Sequence, residues 1–376
     1  MAFMIDRLSL GPLRRFVPRQ LRRSLRDRLC RLERRMRYPP FGDRGRAAYL
    51  RAIHRRWAAL AGEPVDPSDH IRFAEISGRE DELFVPVSVW RSVISPAMNR
   101  PAYRPAFRDK NLSDVVLGWP PGPETFLRRM NGQYLDARYQ AVPEEKVTDR
   151  LLGLAERGVE EVVIKPSVTD NGKLVHRCRI GPEALWLAGS ATSIADLEQT
   201  LGPDFIVQEV IDQHPELASF HPPSLNTVRL VTLRWDGSIH VLPSFIRFGT
   251  NGAVTDNAST GGVCCGIDDD GALSSYAVDK HGQVYDRHPT TGVAFAGSAV
   301  PSWRRLCDLG RRLHERLLHF DAVSWDFAVD PDGEPCFIEV NFQGACHLYQ
   351  WATGRTLFGE HTEAVLDAIA ANHADR

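Results

Sequence analysis

Residues 322–342, AVSWDFAVDPDGEPCFIEVNF, hold two runs of strand-forming residues on either side of Asp332-Gly333. An Asp-Gly pair between such runs is a strong short-range hairpin signal, because both positions tolerate positive φ. If Pro331 faces Glu334 across a two-residue turn, Asp326 lies opposite Glu339 and Ser324 opposite Asn341. Side chains alternate with period two, so Asp326, Glu339 and Asn341 share one face. Facing side chains have Cβ atoms about 4.5–5.5 Å apart, where like charges destabilise the pair. Either a solvated face or a nearby arginine relieves the repulsion, or a divalent cation sits between the carboxylates with the Asn carbonyl as a third hard ligand. A turn of odd length would flip the register and remove this arrangement.

Working outward, a helix is expected from Trp303 to Phe320 ahead of the hairpin and another from Glu363 to Ala371 after it. Upstream, Leu225–Trp235 and Ser238–Phe248 form a second hairpin about Asp236-Gly237, placing Arg229 opposite Ser244 and Arg247 opposite Asn226. On that register the two arginines face opposite sides. Two buried strands are expected at Glu161–Lys165 and Phe205–Ile211, with a helical stretch at Glu144–Gly158. Lys165 ends its strand either as an edge residue with its head in water or as a phosphate ligand before the loop Ser167, Thr169, Asn171, Gly172. Asp256–Gly262, DNASTGG, reads as a surface turn or as backbone able to approach a phosphate. No GxxxxGK or GxGxxG motif occurs.

The chain has 376 residues, with 43% hydrophobic and 25% charged, ordinary values for a globular protein of two or three domains. Its net charge of −2 conceals an asymmetry. Residues 1–56 carry 17 arginines against four acids, net +13, and the rest carries −15 from 29 basic and 44 acidic residues. Leu21, Leu25, Leu29, Leu32 and Met36 give this arm helical spacing. It either docks on the acidic body, meets an anionic membrane surface or polyanion, or serves as an Arg-rich transit peptide. Seven cysteines without disulfide or metal spacing, and no signal-peptide core, fit a reducing cytoplasm. Three patterns are set aside: His314–His319 (HERLLH, one residue too long for HExxH), the consecutive Asp268–Asp270, and Cys346-His347.

The ordered set RDKN (108–111), VVIKP (162–166), VQEVI (207–211), SLNTVRLVTL (224–233), DNASTGG (256–262), HPTTG (288–292), SWDFAVD (324–330) and FIEVNF (337–342) resembles the ATP-grasp superfamily, in particular its sugar-transfer-associated, glutamate-ligase-like branch. The resemblance implies an α+β fold in which two subdomains, 109–205 and 206–376, clasp ATP, after a pre-domain at 57–108 and the basic helical arm at 1–56. It implies that Lys110 and Lys165 contact ATP phosphates and that Gln208, Glu209, Val210 and Ile211 form the hinge reading adenine. Arg229 would hold phosphate or acyl phosphate, Asn257 would lie near the reacting groups, and Asp326, Glu339 and Asn341 would bind magnesium, two ions in all. The activity implied is a carboxylate–amine or carboxylate–thiol ligase working through an acyl phosphate. An ATP-grasp phosphotransferase and a non-catalytic nucleotide-binding adaptor that works through its basic arm are the alternatives.

Overall fold

The computed structural model describes residues 43–169, 174–181 and 183–374. The helix expected over Leu21–Met36 lies outside them. The described chain begins with helix α1 (Asp43–Ala61), followed by α2 (Ser68–Ser77) and a run of short helical turns over 87–107. The first sheet then forms from β1 (Thr125–Met130), β2 (Gln133–Leu135), β3 (Glu161–Pro166), β4 (His176–Ile180), β5 (Leu185–Leu187), β6 (Ser190–Thr192) and, after α3 (Ile194–Leu201), β7 (Phe205–Glu209). Their spatial order is β2-β1-β7-β3-β4-β5-β6. The strand beside the expected subdomain boundary, β7, is therefore central in this sheet, and it stops at Glu209 rather than Ile211. Alternate residues of β3 and β7 (Val162, Ile164, Phe205, Val207) pack against Leu197 and Leu201 of α3 and Leu151 of the preceding helix. Ser193 caps α3 in a reciprocal capping box with Asp196.

The second sheet comprises β8 (Val228–Trp235), β9 (Ser238–Phe248), β10 (Val263–Ile267), β11 (Leu273–Asp279), β12 (Val284–Tyr285) and, after helix α4 (Trp303–Glu315), β13 (Ala322–Val329) and β14 (Pro335–Asn341). The order is β12-β11-β10-β9-β8-β13-β14. Helices α5 (Cys346–Thr353) and α6 (Thr362–Ala374) close the chain. On one face Leu306, Leu309 and Leu313 of α4 pack against Leu230, Val323 and Trp325. Ile53 and Trp57 of α1, Phe73 of α2, and Trp351 and Val365 of α5 and α6 cover the other face at Val231, Leu233 and Phe245. The region before the first sheet is thus part of the second sheet's core. Among the described residues no helix is long and apolar enough to cross a membrane.

Two registers differ from the sequence expectation. The β13–β14 loop has three residues, not two: Asp330 and Glu334 pair across it, and Gly333, not Asp332, has positive φ (81°). Near the turn Val329 accordingly faces Pro335 and Phe327 faces Phe337. A bulge at Ile338 then adds one residue to β14, and Asp326 faces Glu339 and Ser324 faces Asn341 after all. Odd turn and bulge cancel. In β8–β9 the two-residue turn forms, with Asp236 and Gly237 both at positive φ (47° and 73°). Beyond it Pro243 and Ser244 stand against Leu230 alone, so Arg229 faces Phe245 instead of Ser244. That shift puts Arg229 and Arg247 on the same face, correcting the opposite-face expectation.

The patterns set aside are structural. Asp268 accepts from Asp270 N and Ala272 N in a turn, and Cys346 is buried, its thiol raised by desolvation. His319 stacks on Tyr103. His314 is fully buried between the Thr232 hydroxyl (2.8 Å) and the Phe320 carbonyl (2.9 Å). Burial lowers its pKa to about 4, so the unfolded chain takes up a proton first on acidification. Stability from this group is complete above pH ~6.5 and falls toward pH 4, with a limiting slope of about 1.4 kcal/mol per pH unit. We expect urea midpoints of wild type to drop more steeply between pH 7 and pH 5 than those of His314→Gln.

Candidate active site

The site is built from both sheets. Lys165 ends β3, and the carbonyl of Ser167 just beyond it accepts from Lys110 N (2.9 Å). Asn111 is fully buried and donates to the carbonyls of Arg129 (2.9 Å) and Phe205 (3.3 Å), which fixes the Lys110-Asn111 segment to the first sheet. Lys110 then reaches across to the second sheet, its Nζ 3.3 Å from Glu339 Oε2. Glu339 Oε1 also accepts from Asn341 Nδ2 (3.2 Å).

Asp326 stands between Arg229 on β8 and Glu339 on β14. Only 1% of it is exposed. Arg229 grips it with two nitrogens, Nε to Oδ1 and a terminal nitrogen 2.8 Å from Oδ2. Arg247 adds a third bond to Oδ2 (3.0 Å). Arg247 also bonds Asp256 Oδ2 and Asn257 Oδ1, both at 3.3 Å. Asp256 in turn accepts from Thr227 N (2.9 Å) and the Thr227 hydroxyl.

Burial pushes the Asp326 carboxyl up to about 6 against the pull of the two guanidinium groups. Burial acts on Glu339 too, but the Lys110 ammonium and the guanidinium groups of Arg229 and Arg247 hold it below the usual carboxylate range. Lys165, 7% exposed, is lowered to about 8, chiefly by desolvation and then by Lys110. The Glu339 and Asp326 carboxylates offset part of this lowering.

Lys110, Lys165, Asp326, Glu339 and Asn257 border one cavity of about 360 Å³ between the sheets, with Gln208, Glu209, Val210 and Ile211 along one side and apolar walls from Val163, Leu187, Leu225 and Ile338. Ile338 is the bulged residue. Gln208 donates to the Thr125 hydroxyl (3.1 Å), and Glu209 accepts from Glu124 N (3.0 Å). Arg229 and Asn341 do not line this cavity. They line a second one of about 640 Å³, and the two meet at Lys110, Arg247, Asn257 and Glu339. Sequence reasoning left Arg247 unassigned and missed Asp256 and Tyr349, whose hydroxyl bonds Ser324 Oγ (2.8 Å) and lies 3.5 Å from an Arg229 nitrogen. The signal for Arg247 was Pro243: a proline inside a central strand requires a bulge.

Asp326, Glu339 and Asn341 carry hard oxygen donors, a set whose chemistry fits magnesium. Among the described residues no group of three or more His, Cys, Asp or Glu suits a metal ion, so an ion here would depend on the asparagine or on oxygens from a ligand.

The chain belongs to the sugar-transfer associated ATP-grasp family, whose model matches residues 127–365, and its fold is the ATP-grasp fold. No curated protein matches the sequence. Solved structures similar to it include an N5-carboxyaminoimidazole ribonucleotide synthetase in complex with ADP (13% identity, 70% of this chain and 52% of that one, TM-score 0.40). An L-amino acid ligase from Bacillus licheniformis (14%, 70% and 48%, 0.36) and the VanG D-Ala:D-Ser ligase from Enterococcus faecalis (11%, 70% and 62%, 0.41) are also similar. The chain spans about half to three fifths of these proteins.

Proposed function

We propose that the cleft binds ATP with magnesium and that the protein is an ATP-dependent ligase joining a carboxylate to an amine or thiol. The observation that carries this reading is the meeting, across one cavity, of Lys110 and Lys165 from the first sheet's side with Asp326 and Glu339 of the second, Asn341 being bonded to Glu339 on the side of the larger cavity. Two partly desolvated ammonium groups beside hard oxygen donors suit a metal-bound triphosphate. The apolar walls and the backbone of Glu209–Ile211 suit an adenine ring and its polar edge.

Asp326, Glu339 and Asn341 would hold magnesium, two ions when loaded, which neutralise charge on the phosphates. Lys110 and Lys165 orient the β- and γ-phosphates. A substrate carboxylate oxygen attacks the γ-phosphorus and ADP leaves, giving an acyl phosphate. Arg247 and Asn257, where the cavities meet, and Arg229 on the larger cavity stabilise the phosphoryl and acyl oxygens. An amine or thiol then attacks the acyl carbon, inorganic phosphate departs, and the nucleophile's proton passes to solvent. Positioning and fixed charge supply the rate in this scheme, and no protein nucleophile is needed.

The test is product release with a panel of carboxylates and amines. ADP and inorganic phosphate should appear together only when carboxylate, nucleophile, ATP and magnesium are all present. ADP without phosphate release would make the protein a phosphotransferase. Nucleotide binding without turnover on any combination would favour the adaptor reading.

A further inference from the structure

The larger cavity has a charge that the nucleotide does not account for. Arg91, Arg104, Arg108, Arg229 and Lys280 line it and do not line the nucleotide-side cavity. Among the described residues Glu339 is the one carboxylate in its lining, and Lys110 already holds it. Arg229 is committed to Asp326. Others are fixed by neutral groups: the Lys280 ammonium bonds the Ser259 carbonyl (2.7 Å). Arg104 bonds the carbonyls of Asn99 (3.0 Å to Nε) and Ser95 (2.9 Å) and the Ser95 hydroxyl (3.0 Å). Among the described residues neither forms an ion pair with a carboxylate. Cations of one sign lining a concavity raise the local concentration of anions. His347, on the same wall, has a buried Nδ1 without a partner. Arg91 and Arg104 precede the residues matched by the family model, so this part of the wall comes from the segment before them, held there by Trp90 Nε1 bonding the Gly344 carbonyl (2.9 Å).

We infer that the larger cavity is the acceptor site and that its substrate carries a second anionic group, phosphate or carboxylate, besides the carboxylate that reacts. The inference rests on the ligase reading for which carboxylate is activated. The reacting carboxylate lies toward Arg229 and Arg247, and the second anion lies toward Arg91, Arg104 and Lys280. A cavity of about 640 Å³ has room for a molecule larger than a single amino acid.

The experiment is calorimetry on the full chain with magnesium and a non-hydrolysable ATP analogue, using 6-phosphogluconate against gluconate and glutarate against pentanoate. At least one probe with two anionic groups should bind about tenfold more tightly than its partner with one. The pair that shows the preference distinguishes phosphate from carboxylate. In the Arg91→Gln/Lys280→Gln double variant the preference should fall below about threefold, with nucleotide affinity unchanged. Equal binding of the two-anion and one-anion probes by wild type, no binding of any probe, or a preference that survives in the double variant would each overturn the inference while leaving the ligase reading intact. Failure of the analogue to bind would overturn the ligase reading itself, and the same probes without nucleotide would then decide the anion site separately.

Discussion

Glu339→Gln is expected to bind MgATP about 100-fold more weakly than wild type, close to 3 kcal/mol. The substitution is isosteric and keeps an acceptor for Asn341 Nδ2, 3.2 Å away. It removes the charge opposite Lys110 and one of two carboxylates in a ligand set that has no spare among the described residues. Without magnesium the two proteins should bind nucleotide about equally, since the lysines remain. The discriminating measurement is therefore the ratio of affinities with and without magnesium. A variant that keeps the wild-type ratio would show that Glu339 serves Lys110 as a structural partner only. A loss of affinity in both conditions would point instead to a collapsed cleft, to be checked by its unfolding midpoint.

How much of this site could be read from the chain depends on where local rules end. Asp326 and Glu339 were placed opposite each other from an Asp-Gly turn, and they do face each other, but by a different route. The turn is one residue longer, and Ile338 bulges to compensate. A turn is local chemistry, written in two or three residues. The bulge is fixed by packing, since Phe337 must enter the core beside Phe327 and Trp325 while Glu339 faces the cleft. No alternation rule reports such a switch of faces within one strand. The β8–β9 pair teaches the reverse. Its turn was read correctly, yet the faces of Arg229 and Arg247 were not, although Pro243 marked the place where the register had to break. Strands and their order of chemistry were visible as apolar runs ending in Lys165 or Gln208-Glu209. The long-range bonds that join Lys110 to Ser167 and Arg247 to Asp326 were not, because nothing in a sequence records which loop folds over which sheet.

Arg247→Met is expected to be the most destabilising single change in the cleft, costing about 3–5 kcal/mol. Arg247 is 9% exposed, and its guanidinium is shared by Asp256, Asp326, Asn257 and Thr227. Its removal leaves Asp256 (5% exposed) and Asp326 (1%) buried together with one arginine between them instead of two. Thr227 still donates to Asp256 and Arg229 still grips Asp326, so the loss stays below that of two bare charges. The check is a denaturant titration in which the midpoint falls while the slope is unchanged, as for a fold that is weakened and not loosened. Asp256→Asn supplies the second edge of a double-mutant cycle. If the main cost of Arg247→Met is an uncompensated Asp256 charge, the double variant should be more stable than the sum of the two single losses allows, by at least about 1 kcal/mol. Strict additivity would mean that Arg247 acts on Asp326 alone. Its role would then be to orient that carboxylate at the junction of the two cavities, and the loop carrying Asn257 would be held by other bonds.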